Sequence, residues 1–281
     1  MTLAVIFIWI IPAIVVLVPI VLVINPQPLI PFLAKYLNLP EWDPSPEAVV
    51  KENYTLYASD GKQKMIAVFT SDLFVLNDLK TTYGFTNELY SRVKDDFDVV
   101  VLKYPLRMKS SLRDSIVHFG ETLCKDFLHY RYWHAISFST ATLLTGTFMH
   151  KERDATFSRQ IEVPQVGIKF SSFVGICGVY NTQYNNGIID ALFKFYILKN
   201  STRGHLYSCY DPQVPTLLLS SQSDLFISQT RQFVAAHSCR IEMYPRDLPH
   251  LFMKLIDQKE SQNGMNKIVE FIKQAQEQGD F

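Results

Sequence analysis

Three side chains in the second half of the chain have the types and order of a nucleophilic catalytic group. Ser139 ends the apolar segment WHAISFS, Asp224 closes the polar loop after VPTLLLSS, and His250 follows the strand-like CRIEMY. In such a group the histidine takes the serine proton, and the carboxylate fixes the histidine tautomer and stabilises the imidazolium. Each residue alone is more often an ordinary loop or surface residue, but the three together predict a serine hydrolase.

The residues around Ser139 suit a tight strand-to-helix turn. An exposed nucleophile on such a turn needs small residues two positions before and two positions after it, because the flanking backbones crowd. Ser137 and Ala141 occupy these positions. A serine-rich strand end without catalytic function would have the same pattern.

The elements that must position these residues alternate between strand-like and helix-like patterns. Short apolar runs such as DVVVL, WHAISF, FVGICGVY and VPTLLLSS are typical of buried strands, and apolar residues recur at helical spacing in SLRDSIVHFGETLCKDFLHY. This alternation predicts an α/β fold with a mostly parallel sheet and helices on both faces. NYTLYAS and MIAVFTS around Asp60-Gly61 also predict a β-hairpin. Further helices are expected over 86–96, 140–150, 187–198, 227–237 and 264–278.

The N-terminal residues predict a membrane anchor. Residues 3–24 carry no charge and are long enough to cross a bilayer core as a helix. A cleaved signal peptide would have a basic start and a shorter apolar core, so a retained single-pass anchor over residues 1–25 is favoured. Residues 26–50 are rich in proline and predict a juxtamembrane linker, which leaves 51–281 as the folded domain. The endoplasmic reticulum or another endomembrane is the expected location.

Composition excludes some partners and leaves others open. Lys+Arg and Asp+Glu both number 27, so no basic surplus favours nucleic acid. The four cysteines lack metal-site spacing, and they could form one disulfide or be small buried side chains. No phosphate-binding or dinucleotide motif is present, so neither a metal nor a cofactor is expected. Sequons at Asn53 and Asn200 permit N-glycosylation of a lumenal domain.

The region from Asn53 to Leu255 resembles the esterase/lipase branch of the α/β-hydrolases, near the hormone-sensitive-lipase-like, steryl-acetyl-hydrolase-like and kynurenine-formamidase-like enzymes. VPTLLLSSQSDLFISQTRQF resembles the family's penultimate strand, acid loop and following helix, and PHLF resembles its histidine-x-phenylalanine ending. The resemblance implies that Ser139 is the nucleophile, Asp224 the acid and His250 the base. Residues 181–198 contain four aromatic side chains, which fit either a cap over the pocket or, as the favoured alternative, the ordinary core.

One departure concerns the oxyanion hole. Where the family has His-Gly-Gly after its third strand, this chain has Thr70-Ser71-Asp72. Ser71 and Thr140 are the expected backbone donors, and one such donor is worth about 3 kcal/mol. The sequence therefore predicts a membrane-anchored serine esterase acting on a small or lipid-like ester. The alternative is a catalytically inactive α/β-hydrolase-fold protein that serves as a membrane-bound interaction or scaffold module.

Overall fold

A computed structural model describes residues 39–59, 61–70, 79–103, 111–182 and 206–279. Within them, eight strands form one sheet in the order β1-β2-β4-β3-β5-β6-β7-β8. The strands are β1 (Val49–Val50), β2 (Tyr54–Tyr57), β3 (Lys64–Phe69), β4 (Asp98–Leu102), β5 (Tyr132–Phe138), β6 (Phe170–Ile176), β7 (Thr216–Ser221) and β8 (Arg240–Tyr244). The first two strands are antiparallel to their neighbours, and β4, β3, β5, β6, β7 and β8 run parallel. The predicted mostly parallel sheet is confirmed.

Helices cover both faces of this sheet. They are α1 (Lys80–Val93), α2 (Leu112–Phe127), α3 (Ala141–Arg153), α4 (Ala155–Gln160), α5 (Ile227–Ala236) and α6 (Lys259–Gly279), with a short 3-10 helix at Phe252–Lys254. Helices α2, α3 and α5 pack on one apolar cluster, and α1 and α6 pack on the other. Strand β4 shows why the sheet needs both layers, since all five of its residues are buried and alternate between the two faces.

The predicted hairpin is wrong. Strand β2 pairs with β1 and β4, whereas β3 pairs with β4 and β5, so β4 lies between the two predicted partners. A strand that is apolar on both faces is stabilised by neighbours on both sides, and β4 takes that interior place. The separation of β2 from β3 is then about 10 Å, which the connecting residues 58–63 span easily.

Part of the proline-rich segment belongs to the folded domain. The backbone N–H of Trp42 donates to the carbonyl of Lys80 over 3.0 Å, and the N–H of Ser45 donates to Oδ1 of Asn87 over 3.0 Å. The Trp42 ring lies so close to Gly84 that a Cβ there would be 2.7 Å from it. Packing against α1 therefore begins before residue 51. Residues 1–25 lie outside the described ranges, and no helix within those ranges has the length and apolarity of a bilayer span.

Helix boundaries differ from the prediction at two places. Helix α1 begins at Lys80 rather than near residue 86, and α4, which the sequence pattern missed, is started by the Asp154 side chain accepting from the N–H groups of Thr156 and Phe157. Helix α2 begins with a capping box between Ser111 and Asp114. The predicted helix over 187–198 and the predicted cap over 181–198 lie outside the described residues, except for 181 and 182.

The cysteines and the first sequon have clear environments. All four cysteines are free thiols; Cys177 and Cys209 are buried, in agreement with the small-hydrophobe alternative. Asn53 is exposed, while the threonine of its sequon, Thr55, is buried and hydrogen-bonded to the hydroxyl of Tyr83. Asn200 lies outside the described residues, so glycosylation stays a prediction.

Candidate active site

The three residues singled out from the sequence meet at one edge of the sheet. Ser139 directly follows β5, Asp224 follows β7, and His250 follows β8. In an open parallel sheet the carboxyl ends of the strands form the edge at which ligands bind. The sheet order places β5, β6, β7 and β8 next to one another, so loops that are far apart in sequence converge there.

The contacts between the three side chains have the geometry of a catalytic triad. Oγ of Ser139 lies 3.0 Å from Nε2 of His250, and Nδ1 of His250 lies 2.5 Å from Oδ2 of Asp224. With Nδ1 donating to the carboxylate, Nε2 is left as the acceptor for the serine hydroxyl. Serine, histidine and carboxylate therefore form one continuous hydrogen-bonded chain.

The backbone at Ser139 is strained. Its φ of 48° lies in the left-handed region, which costs a non-glycine residue about 1–3 kcal/mol. Strand β6 and the loop after it hold this conformation, because the Ser139 N–H donates to the carbonyl of Ile176 over 2.9 Å and the Ser139 carbonyl accepts from the Val179 N–H over 3.0 Å. The sharp turn between β5 and α3 thus forms although Ser137 and Ala141 replace the usual glycines.

Close packing beside the turn involves Gly178, to which the sequence patterns assigned no role. A Cβ on Gly178 would lie 2.8 Å from Cγ2 of Thr142 and 2.8 Å from the hydroxyl of Tyr180. Real side chains do not approach so closely, so any larger residue here would force the Thr142 or Tyr180 side chain to shift. Gly178 follows β6, and it lets the β6 loop pack directly against the first turn of α3.

Asp224 is ionised despite its burial. Only 3% of the residue is exposed, and burial by itself would raise the pKa of this carboxyl. The hydrogen bond and charge of His250, the Phe226 N–H and the Cys177 thiol together outweigh burial and lower the pKa below its ordinary value. The Phe226 N–H donates to Oδ1 of Asp224 over 2.8 Å, which leaves Oδ2 for His250.

The structure describes only one of the two predicted oxyanion donors. Thr140 is buried at the start of α3, directly after Ser139, where a backbone N–H is expected to face an oxyanion formed at that serine. Ser71 lies outside the described residues. Thr70, which precedes it, is buried, and its hydroxyl hydrogen-bonds to Thr82 over 2.9 Å. The oxyanion roles of Thr140 and Ser71 therefore stay predictions.

Cys177 is a third buried group beside Asp224 and His250. Within the described residues, Cys177, Asp224 and His250 each bring one atom of a metal-ligating type to within 4.8 Å of the others. Burial, followed by the charge of Asp224, raises the pKa of the Cys177 thiol well above its ordinary value. Metals bind the thiolate, so a protonated thiol disfavours a metal here. The expectation of a metal-free site stays a prediction.

A polar cavity lies at the opposite edge of the sheet, and it has no group comparable to Ser139, His250 and Asp224 among its described lining residues. This cavity has a volume of about 460 Å³, and Glu47, Lys62, Tyr90, Lys94 and Asp95 are among its lining residues. Lys62 precedes β3, and Lys94 and Asp95 precede β4, so the cavity lies at the amino ends of the parallel strands. The triad lies at the carboxyl ends, where the chemistry of this fold class is located.

Known proteins resemble this chain in their three-dimensional structures. No protein-family model matches the sequence, and no curated protein matches it. An inhibited form of esterase B from Lactobacillus rhamnosis superposes with a TM-score of 0.76 at 13% identity, covering 93% of this chain and 97% of the esterase. The chain has the α/β-hydrolase fold.

Two further esterases agree with this assignment. The esterase of Pyrobaculum calidifontis gives a TM-score of 0.59 at 13% identity, with 86% of this chain and 88% of that chain covered. Esterase LipW from Mycobacterium marinum gives 0.57 at 14% identity, with 79% and 75% covered. The resemblance that the sequence motifs indicated is confirmed at the level of the fold.

Proposed function

We propose that this α/β-hydrolase-fold chain is a serine hydrolase of the carboxylesterase type. The observation that carries the proposal is the hydrogen-bonded chain from Ser139 through His250 to Asp224, with the serine on a strained turn at the carboxyl edge of the sheet. Strain at a buried serine is costly, and the fold retains it where a nucleophile is required. Esterases among the structural neighbours support an ester as the substrate class.

The reaction follows from the positions of the three groups. Oγ of Ser139 attacks the ester carbonyl carbon while Nε2 of His250 takes the hydroxyl proton, and the carbonyl π electrons move onto oxygen. When this oxyanion collapses, the alcohol leaves with the proton from His250, and Ser139 remains acylated. Water then attacks the acyl carbon, His250 takes its proton, and Oγ departs with that proton to release the carboxylic acid. Asp224 holds the imidazole and stabilises its charged form in both halves.

Covalent labelling by a fluorophosphonate tests this proposal directly. The full chain in its membrane fraction is treated with the probe, and the variants Ser139→Ala, His250→Ala and Ser137→Ala are treated alongside. Ser137 is the matched control, because it is an equally buried serine two residues away that hydrogen-bonds to Thr145 instead. We expect labelling of wild type and Ser137→Ala alone. A folded wild type that stays unlabelled would contradict hydrolase chemistry and favour the scaffold alternative.

We further propose that this enzyme is anchored in a membrane. An uncharged span over residues 1–25 would hold the domain beside apolar esters that partition into the bilayer. Carbonate extraction of the full chain, compared with a chain lacking residues 1–25, tests the anchor. Loss of an endoglycosidase-sensitive shift in Asn53→Gln or Asn200→Gln would place the domain in the lumen. Release of the full chain by carbonate would refute the anchor without affecting the hydrolase proposal.

A further inference from the structure

Cys177 occupies a strained position between the two halves of the triad. It directly follows β6, which lies between the strand that leads to Ser139 and the strand that leads to Asp224. Its φ is 48°, and its N–H is fixed by a hydrogen bond of 2.8 Å to the carbonyl of Leu219 on β7. Glycine would adopt this conformation without strain, so the side chain is retained at an energetic cost.

The side chain points at the catalytic acid. Sγ lies within 4.8 Å of a carboxylate oxygen of Asp224 and of a ring nitrogen of His250, and Cys177 has no exposed surface. Burial and then the charge of Asp224 raise the pKa of the thiol well above its ordinary value, so the group is protonated at neutral pH. A protonated thiol next to a carboxylate is a hydrogen-bond donor.

The other titratable neighbours do not supply this donor. The hydroxyl of Tyr180 also interacts electrostatically with Asp224. This hydroxyl is buried without a hydrogen-bond partner, and burial, followed by Cys209 and Cys177, keeps its pKa well above the ordinary value. The remaining partners of the carboxylate are the Phe226 N–H and His250.

We propose that Cys177 is a positioning residue of the triad, whose thiol donates to the Asp224 carboxylate and so tunes the basicity of His250. The proposal rests on the function proposed above. A carboxylate that shares its charge with a thiol stabilises the imidazolium less than one that serves His250 alone. Removing the donor therefore strengthens the attraction between the Asp224 carboxylate and the imidazolium and loosens the orientation of the acid.

Three variants of the full chain separate this role from simple packing. Cys177→Ala removes the donor, Cys177→Ser restores a donor of similar size, and Cys209→Ala is the matched control, because Cys209 is also a buried free thiol but is not in the triad group. The pH dependence of kcat/KM is measured with a short-chain p-nitrophenyl ester. For Cys177→Ala we expect a loss of about threefold to tenfold and an acid limb displaced to higher pH. The serine variant should return the limb toward wild type, and Cys209→Ala should leave it in place.

Two results would overturn the proposal. One is a wild-type acid limb in Cys177→Ala, and the other is the same displacement in the alanine and serine variants, which would indicate packing alone. NMR titration of His250 in wild type and Cys177→Ala needs no turnover, so it decides the thiol contact even if wild type fails to react with a fluorophosphonate. An unchanged His250 pKa refutes the role of Cys177, whereas absent labelling with a changed pKa refutes only the hydrolase function.

Discussion

Replacing Asp224 with asparagine turns the carboxylate into an amide, in which one oxygen and one NH2 group face the two partners of the native carboxylate. In the native site Oδ1 accepts from the Phe226 N–H and Oδ2 accepts from Nδ1 of His250. An asparagine has one acceptor and one donor, and its oxygen stays with Phe226, since a backbone N–H can only donate. The amide NH2 group then faces Nδ1 and donates to it.

This exchange reverses the tautomer of His250. With Nδ1 accepting, the proton of neutral His250 moves to Nε2, which faces Oγ of Ser139 and can no longer take the serine proton. A wrong tautomer of this kind costs about 10⁴ in kcat, and at about 1.4 kcal/mol per tenfold this is about 5 kcal/mol of transition-state stabilisation.

The assay is the single-turnover rate of phosphonylation by a fluorophosphonate and of acylation by a p-nitrophenyl ester, with unfolding monitored in parallel. Asp211→Asn is the matched control, because Asp211 is exposed and also faces a histidine, with 3.8 Å between its Oδ2 and Nδ1 of His237. We expect this control to react at the wild-type rate. A folded Asp224→Asn protein that keeps more than about a tenth of the wild-type rate would refute the assigned hydrogen-bond directions.

The same variant gives a test of stability against pH. The pKa of Asp224 lies below its ordinary value in the folded state, so its ionisation stabilises the fold above the pKa of an unfolded aspartate. That contribution is lost as the pH falls through the folded pKa. We therefore expect the free energy of unfolding of wild type, relative to Asp224→Asn, to be greatest near neutral pH and to decline below about pH 4. A difference that is constant down to pH 2 would contradict a lowered pKa.

Three other perturbations test the elements around the site. Gly178→Ala puts a Cβ 2.8 Å from the hydroxyl of Tyr180, so we expect it to lower the free energy of unfolding by about 1–3 kcal/mol and to slow fluorophosphonate labelling; unchanged stability in urea would contradict the close packing. Ser111→Ala removes the acceptor for the Asp114 N–H, and urea unfolding should show a loss of about 1 kcal/mol with labelling intact. Burial raises the pKa of Cys239 to about 11, so iodoacetamide at pH 8 should modify it far more slowly in the folded protein than in urea, as mass spectrometry would show.

The sequence by itself determined the character of the sheet and the three residues of the candidate triad. Runs such as DVVVL and TLLLSS carry apolar residues on both faces and are buried throughout, and such strands are typical of a sheet between two layers of helices, so local composition was sufficient to predict a parallel sheet. The positions of Ser139, Asp224 and His250 after three such strands predicted their convergence, because parallel strands place their carboxyl ends along one edge.

Tertiary structure alone decided the pairing of β2 and β3 and the neighbours of the triad. The sequence at Asp60-Gly61 fits a hairpin locally. Strand β4, from a distant part of the chain, nevertheless lies between β2 and β3, and no local sequence pattern predicts that it displaces β3 as the partner of β2. Cys177 looked like an ordinary small buried residue in the sequence. Its proximity to Asp224 exists because β6 lies beside β7, and a left-handed φ, which sequence composition does not specify for a cysteine, directs the chain there.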